Sequence, residues 1–193
     1  MHGHDLILKN RGMIAPVLAN GVMIEIGSDR ETGSTSLLAN MAKEYGASFI
    51  TVDPDTGANS RAKGILSKID PSFTAVNDYG EKFLEKYTGT ISVVYLDAFD
   101  IVLPHWPHIQ STIDTYEKRN QKITNRAAWK MHFEATEHCL DKMCRGGFIC
   151  LDDTWKTEGM WDGKGRIAVP YLLGNGYGIV DIHDQCVLFK KEA

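Results

Sequence analysis

The chain has 193 residues, 43% of them apolar and 24% charged, with a formal net charge of −4. That length suits one α/β domain with a full-sized core, and the composition excludes disordered and fibrous classes. The acidic balance disfavours a surface built to neutralise phosphates, so nucleic acid is not an expected partner. Cys139, Cys144, Cys150 and Cys186 form no C-x-x-C pair, and Cys150 and Cys186 lie in apolar runs where a thiol behaves as a small hydrophobe. A reducing, cytoplasmic setting is expected. No apolar run approaches the length of a membrane span, and the opening Met-His-Gly-His-Asp lacks a signal-peptide pattern. His2 and His4 read as part of a frayed terminus.

In chain order, residues 6–18 predict a leading helix and Val22–Ile26 an apolar strand. A polar, glycine-containing loop leads into a helix from Ser34 to Tyr45, ended by Gly46. Ser48–Val52 predicts the second strand, stopped at Asp53-Pro54. A helix over Asn59–Ile69 stops at Asp70-Pro71. Phe73–Val76, Tyr79–Tyr87 and Ile91–Leu96 read as strand, helix and buried strand. The long segment from about 100 to 145 opens on Leu-Pro-His-Trp-Pro-His, which cannot be regular helix. Helical spacing returns over Thr124–Cys144, with Gly146-Gly147 as the expected stop. Phe148–Leu151 is the fifth strand, Arg166–Gly174 a helix, and Gly178–Ile182 with Gln185–Leu188 a hairpin across His183-Asp184. Strands and helices alternate until that hairpin. The expected fold is a doubly wound, Rossmann-like, mostly parallel α/β sheet with a C-terminal antiparallel hairpin, in a single domain.

The first strand runs into Glu25-Ile-Gly27-Ser28 and, after four residues, Gly33-Ser34-Thr35. A loop of this kind lies at the carboxyl edge of the sheet, where open α/β folds bind ligands. Gly27 would let the backbone approach a ligand, Gly33 would permit the turn into the helix, and the helix start favours a negative group. Asp53, at the end of the second strand, could accept from a ribose diol, or could be an Asp-Pro turn former. The spacing is not G-x-G-x-x-G, so the dinucleotide fingerprint is absent. A tight turn with no ligand is the plainer alternative. Glu25-Ile-Gly27 followed by Gly33-Ser34-Thr35 resembles the first motif of class I S-adenosylmethionine-dependent methyltransferases. The resemblance implies S-adenosylmethionine as cofactor, with Glu25 and Gly27 around its methionine part, Asp53 at the ribose, Asn77-Asp78 near the adenine, and Ser28, Gly33 and Ser34 as further cofactor-binding residues.

Asp97 ends the fourth strand and Asp152-Asp153 follow the fifth. Adjacent strands would bring these carboxylates to one edge, where they repel unless a cation or proton intervenes. Hard oxygen ligands suit Mg²⁺; a solvated or arginine- or lysine-paired acidic rim is the alternative. The pattern is similar to metal-dependent sugar and catechol-type O-methyltransferases, which implies a divalent cation on Asp97, Asp152 and Asp153. The expected partner is a small hydroxylated acceptor, with homo-oligomer formation left open by the sequence.

Among the histidines, His105 is the first candidate for general base, because its proline-flanked loop leaves the strand end that supplies Asp97; His132, on the following helix, is the second. Trp106, Trp155 and Trp161 could wall an acceptor pocket or close the core. Lys118, Arg119, Lys122 and Arg126 form a basic stripe, and Lys164 lies in a glycine-rich loop after the acidic pair. Competing readings are a metal-independent N- or O-methyltransferase, a donor-binding subunit without transfer activity, and a nicotinamide enzyme.

Overall fold

The computed structural model describes residues 2–28, 33–103, 109–118 and 122–192. Seven strands form one sheet: β1 Val22–Ile26, β2 Ser48–Val52, β3 Thr74–Val76, β4 Ile91–Leu96, β5 Met143–Leu151, and then β8 Tyr177–His183 and β9 Cys186–Lys191. Their spatial order is β3-β2-β1-β4-β5-β9-β8. The first five pair in parallel, and β9 returns antiparallel between β5 and β8. This is the expected class of sheet, closed by the expected hairpin. Strand order reverses between β1 and β4, and the crevice at such a reversal is where this architecture receives ligands.

All six residues of β4 are buried, as a central strand covered on both faces requires. One face is covered by α1 Gly3–Lys9, α2 Arg11–Leu18, α3 Ser34–Glu44 and α4 Thr56–Ile69, which pack Leu6, Ile14, Leu38 and Leu66 with Phe49 and Phe148. The other carries α5 Gly80–Lys86, α7 Asn125–Leu140 and α8 Ala168–Gly174, which pack Leu84, Met131, Ala135 and Leu172 with Ile24 and Phe189. Helix α6, Ile109–Glu117, precedes α7 in the long connection between β4 and β5. Among the described residues no helix is long and apolar enough to cross a membrane.

Three local expectations change. The leading helix breaks at Asn10, whose side-chain amide bonds the Leu6 carbonyl and the Asp181 carboxylate at 2.9 and 2.8 Å, and this turns α1 back toward the hairpin. The terminus is not frayed: His4 is 4% exposed, and Gly3 lies so close to Tyr95 that an added Cβ would come within 2.7 Å of its ring. Gly146 and Gly147 do not stop α7, which ends at Leu140. They lie in an irregular stretch of β5, where pairing jumps from Ile91↔Met143 to Val93↔Phe148. Gly146 has φ +75° there, a value that glycine adopts without strain.

A hairpin not foreseen from the sequence follows β5, formed by β6 Thr154–Thr157 and β7 Met160–Gly163. Its two-residue turn, Glu158-Gly159, has φ +50° and +81°, the mirror-image turn that matches strand twist. The hairpin returns to its starting point because Gly163 lies against the Asp153 carbonyl, where an added Cβ would sit 2.0 Å from the oxygen. The next residue, Lys164, then donates its backbone N–H to that same carbonyl at 2.7 Å.

Gly159 and Gly163 separate backbone conformation from close approach. Both have positive φ, but a Cβ on Gly159 meets nothing within 4 Å. Gly159→Ala is expected to cost only the left-handed penalty, about 1–2 kcal/mol. Gly163→Ala should add about 1–3 kcal/mol of overpacking. Urea unfolding of both variants checks this, and equal midpoints would refute the close-approach argument.

Candidate functional site

The carboxyl ends of β1, β2 and β3 form one hydrogen-bonded arc. Asp53, 4% exposed, accepts from the Ser28 backbone N–H at 3.1 Å and the Asp55 N–H at 2.7 Å. Its backbone carbonyl accepts from the Asn77 amide at 2.9 Å, and the Ser28 hydroxyl bonds that of Thr51 at 2.8 Å. Of the residues expected to hold a donor molecule, Ser28, Asp53 and Asn77 are thus brought together. Asp78 turns away into the start of α5, accepting from the Tyr79 N–H and pairing with Lys86 at 3.3 Å.

Glu25 is directed elsewhere. Its carboxylate is fully buried beneath the loop and accepts from Ser34 at 2.8 Å, Thr35 at 2.7 Å and Thr51 at 2.6 Å. These bonds fasten the first turn of α3 to β1 and β2. Burial pushes the Glu25 pKa up to about 7, against the lowering effect of the three hydroxyls. Gly27, at φ +94°, is required by the sheet itself: an added Cβ would lie 2.5 Å from the Asp97 carbonyl oxygen. Gly33, also left-handed, precedes α3 with open space around it.

On the other side of the crevice, Asp97, Asp152 and Asp153 do meet, as expected from their strand ends, but their cation is a lysine. The Lys164 ammonium lies 2.9 Å from Asp97 Oδ1 and 2.9 Å from Asp153 Oδ2, and its side chain is 2% exposed. Burial alone would lower the Lys164 pKa, yet Asp153 and Asp97 outweigh it and hold it well above the ordinary value. Burial pushes Asp153 up, and Lys164 more than reverses this, leaving its pKa low.

Asp97 is the exception, raised to about 6 by burial and by Asp152 and Asp153 despite Lys164. Its side chain keeps 33% of its surface accessible. The Tyr95 hydroxyl sits between Asp152 Oδ2, at 2.5 Å, and Asp97 Oδ2, at 3.1 Å. A phenol has one hydrogen, so the shorter bond is donated to Asp152, and the longer becomes a full hydrogen bond when Asp97 holds a proton. Asp152 also accepts from the Asp153 N–H at 3.0 Å. The i, i+2 spacing that puts Tyr95 and Asp97 on one strand face was legible in the sequence, although the pairing was missed.

This arrangement does not fit the expected divalent metal. A hard cation needs several free oxygens, whereas here the facing oxygens of Asp97 and Asp153 bond an ammonium and those of Asp152 bond Tyr95 and a backbone N–H. Among the described residues no group of histidines, cysteines and carboxylates is arranged to hold a metal. A divalent cation on Asp97, Asp152 and Asp153 is therefore not supported.

His105 and Trp106 lie outside the described residues. His132 is fully buried, with Nε2 2.7 Å from the Ala98 carbonyl and no partner at Nδ1. Nε2 therefore carries the hydrogen and Nδ1 a bare lone pair. Burial and the Lys164 charge push its pKa down to about 3, so its proton affinity is well below that of Asp97. Trp161 lies under the Lys156 ammonium on the β6–β7 hairpin, 4.6 Å from ring centre to nitrogen.

The raised pKa of Glu25 has a consequence for stability. An unfolded glutamate loses its proton near pH 4.5, whereas the folded one holds it to about 7. Between these values the native state binds more protons, so stability falls as pH rises, by up to about 1.4 kcal/mol per unit. Glu25→Gln should flatten that stretch of the curve in urea unfolding at stepped pH. An unchanged slope would mean that Glu25 is already ionised in the fold.

No family model matches the chain, and no curated protein matches it. Solved structures resemble it throughout. An rRNA methylase from Streptococcus thermophilus superposes with a TM-score of 0.57 at 15% identity, over 97% of this chain and 96% of that one. A Streptococcus mutans protein proposed to be a methyltransferase, in complex with SAH, gives 0.59 at 14%, over 96% and 97%. CalS11, a TDP-rhamnose 3′-O-methyltransferase of calicheamicin biosynthesis, gives 0.61 at 14%, over 96% and 78%. The chain has the fold of class I methyltransferases.

Proposed function

We propose that this chain transfers a methyl group from S-adenosylmethionine to a hydroxyl of a small acceptor. The donor lies on the arc of Ser28, Asp53 and Asn77, with Asn77 toward its adenine. The acceptor lies beside Asp97. The observation that carries this reading is the contact of the two halves. Gly27, at the end of β1, packs against the Asp97 backbone at the end of β4, so the donor loop adjoins the most accessible carboxylate of the acidic cluster, 33% exposed against 25% for Asp153. Likeness to methyltransferase folds, one of them holding SAH, supports the choice of donor.

In the reaction the acceptor oxygen attacks the methyl carbon, the carbon–sulfur bond breaks, and sulfur leaves as a neutral thioether. The hydroxyl proton goes to Asp97, whose pKa near 6 leaves it ionised at neutral pH yet more basic than an ordinary aspartate. Tyr95 accepts a hydrogen bond from the protonated carboxyl and donates its own to Asp152. His132 is fully buried and has low proton affinity, so it is not the base; it holds the Ala98 carbonyl just after β4. The three hydroxyls on Glu25 set the first turn of α3, and with it Gly33 and Ser34, against the donor. Lys164 favours the metal-independent form of the reaction. The rRNA methylases among the similar folds raise a nucleic-acid substrate, against which the net charge of −4 weighs.

Calorimetry with S-adenosylhomocysteine should detect binding, and Asp53→Ala should weaken it in a chain that keeps native circular dichroism at a lowered melting temperature. Binding of NADH in its place would refute the reading, and donor binding without turnover on sugars, catechols and polyols would leave a donor-binding subunit. Once an acceptor is found, turnover should fall as pH drops through about 6. Asp97→Asn should lower it about 10²–10⁴-fold while donor affinity is kept. Full turnover in that variant would move the base elsewhere.

A further inference from the structure

We propose that Lys164 is a built-in cation standing where the acidic strand ends would otherwise bind a divalent metal. Its ammonium excludes metal from the native protein, and a divalent-cation site opens when it is removed. The inference rests on the geometry of the cluster and not on the methyl-transfer reading, since its test requires no turnover.

Several features place the lysine there by construction. Its nitrogen bridges carboxylates from two adjacent strand ends at equal distances of 2.9 Å, and almost none of its side chain is exposed. An ammonium removed from water costs several kcal/mol unless paired, so this burial is stable only with the carboxylates in place. The β6–β7 hairpin exists between Asp153 and Lys164 and ends on a glycine that can lie against the Asp153 carbonyl. Asp153 itself takes φ +45°, uncommon for a residue with a side chain, at the turn out of β5. The local backbone is thus shaped to return a cation to the strand end it left.

The charge balance points the same way. Three carboxylates share one edge with one ammonium, and Tyr95 supplies a further donor. A metal entering with Lys164 in place would have to displace it from two oxygens and would face its charge. With the ammonium gone, the freed oxygens of Asp97 and Asp153 converge beside Asp152 with no compensating charge. They would then recruit a hard divalent ion or repel one another. In the native protein Lys164 is a positioning residue, holding Asp97 and Asp153 at a fixed separation.

Mn²⁺ titration, followed by the loss of the free-ion paramagnetic resonance signal and by calorimetry, tests the proposal. The full chain, Lys164→Ala, Lys164→Met, Lys164→Arg and the double variant Lys164→Ala/Asp97→Asn are compared. The native chain and Lys164→Arg should show no saturable binding at millimolar Mn²⁺. Lys164→Ala and Lys164→Met should bind it at least about tenfold more tightly. Their lowered melting temperatures should recover with Mn²⁺, and Asp97→Asn should abolish both gains. If Lys164→Ala does not fold unaided, recovery of native circular dichroism on refolding in Mn²⁺ but not in EDTA supports the proposal. Saturable Mn²⁺ binding by the native chain overturns it. So does absence of any gain in the lysine variants, or failure to recover in either refolding buffer. S-adenosylhomocysteine affinity measured on the same samples reports separately on the donor site.

Discussion

One ammonium, that of Lys164, ties the last third of the chain to the carboxyl edge of the sheet. It joins Asp97 after β4 to Asp153 after β5, and it arrives on a hairpin that leaves and re-enters the same strand end. Without a counter-charge the three aspartates would push those strand ends apart or hold protons. With it, Asp153 stays strongly acidic, and Asp97, which also faces Asp152, keeps an intermediate basicity. A carboxylate of that character thus lies beside the end of β1.

The two sides of the crevice solve the same problem differently. On the β1 side a buried glutamate is satisfied by three neutral hydroxyls from α3 and β2, and burial wins, so its proton affinity rises into the neutral range. On the β4–β5 side a full positive charge is brought in, and the charges it contacts stay ionised more readily. The first device positions a helix. The second holds two strand ends together while Asp97 and Asp153 stay partly open. Backbone contact at Gly27 joins the two, and that glycine is explained by sheet packing before any ligand is considered.

Much of the fold was legible because a central parallel strand and an amphipathic helix carry distinct apolar patterns. Ile91–Leu96 and Val22–Ile26 are predominantly apolar runs, interrupted only by Ser92 and Glu25, and the C-terminal hairpin had its turn residues in place. The errors share a cause. The break at Asn10 depends on a side chain reaching Asp181 across the sheet, and the place of Gly146-Gly147 inside β5 depends on a pairing irregularity with β4. Neither partner is near in sequence. The β6–β7 hairpin has only four residues per strand and a Glu-Gly turn, too short a pattern to stand out from a loop.

The convergence of Asp97, Asp152 and Asp153 could be read from the sequence, because each follows a buried strand and parallel strands present their carboxyl ends together. So could the placement of Asp53 and Asn77 beside the first loop. What those carboxylates bind was decided by tertiary structure alone. Lys164 lies eleven residues beyond Asp153, at no characteristic spacing from Asp97, and only the turn at Asp153 and the close approach of Gly163 return it. The basicity of His132 was likewise settled by burial and by the nearby ammonium, whose distance no local pattern encodes. Strand order follows from patterns along the chain, whereas the charge on a site follows from which distant side chain fills it.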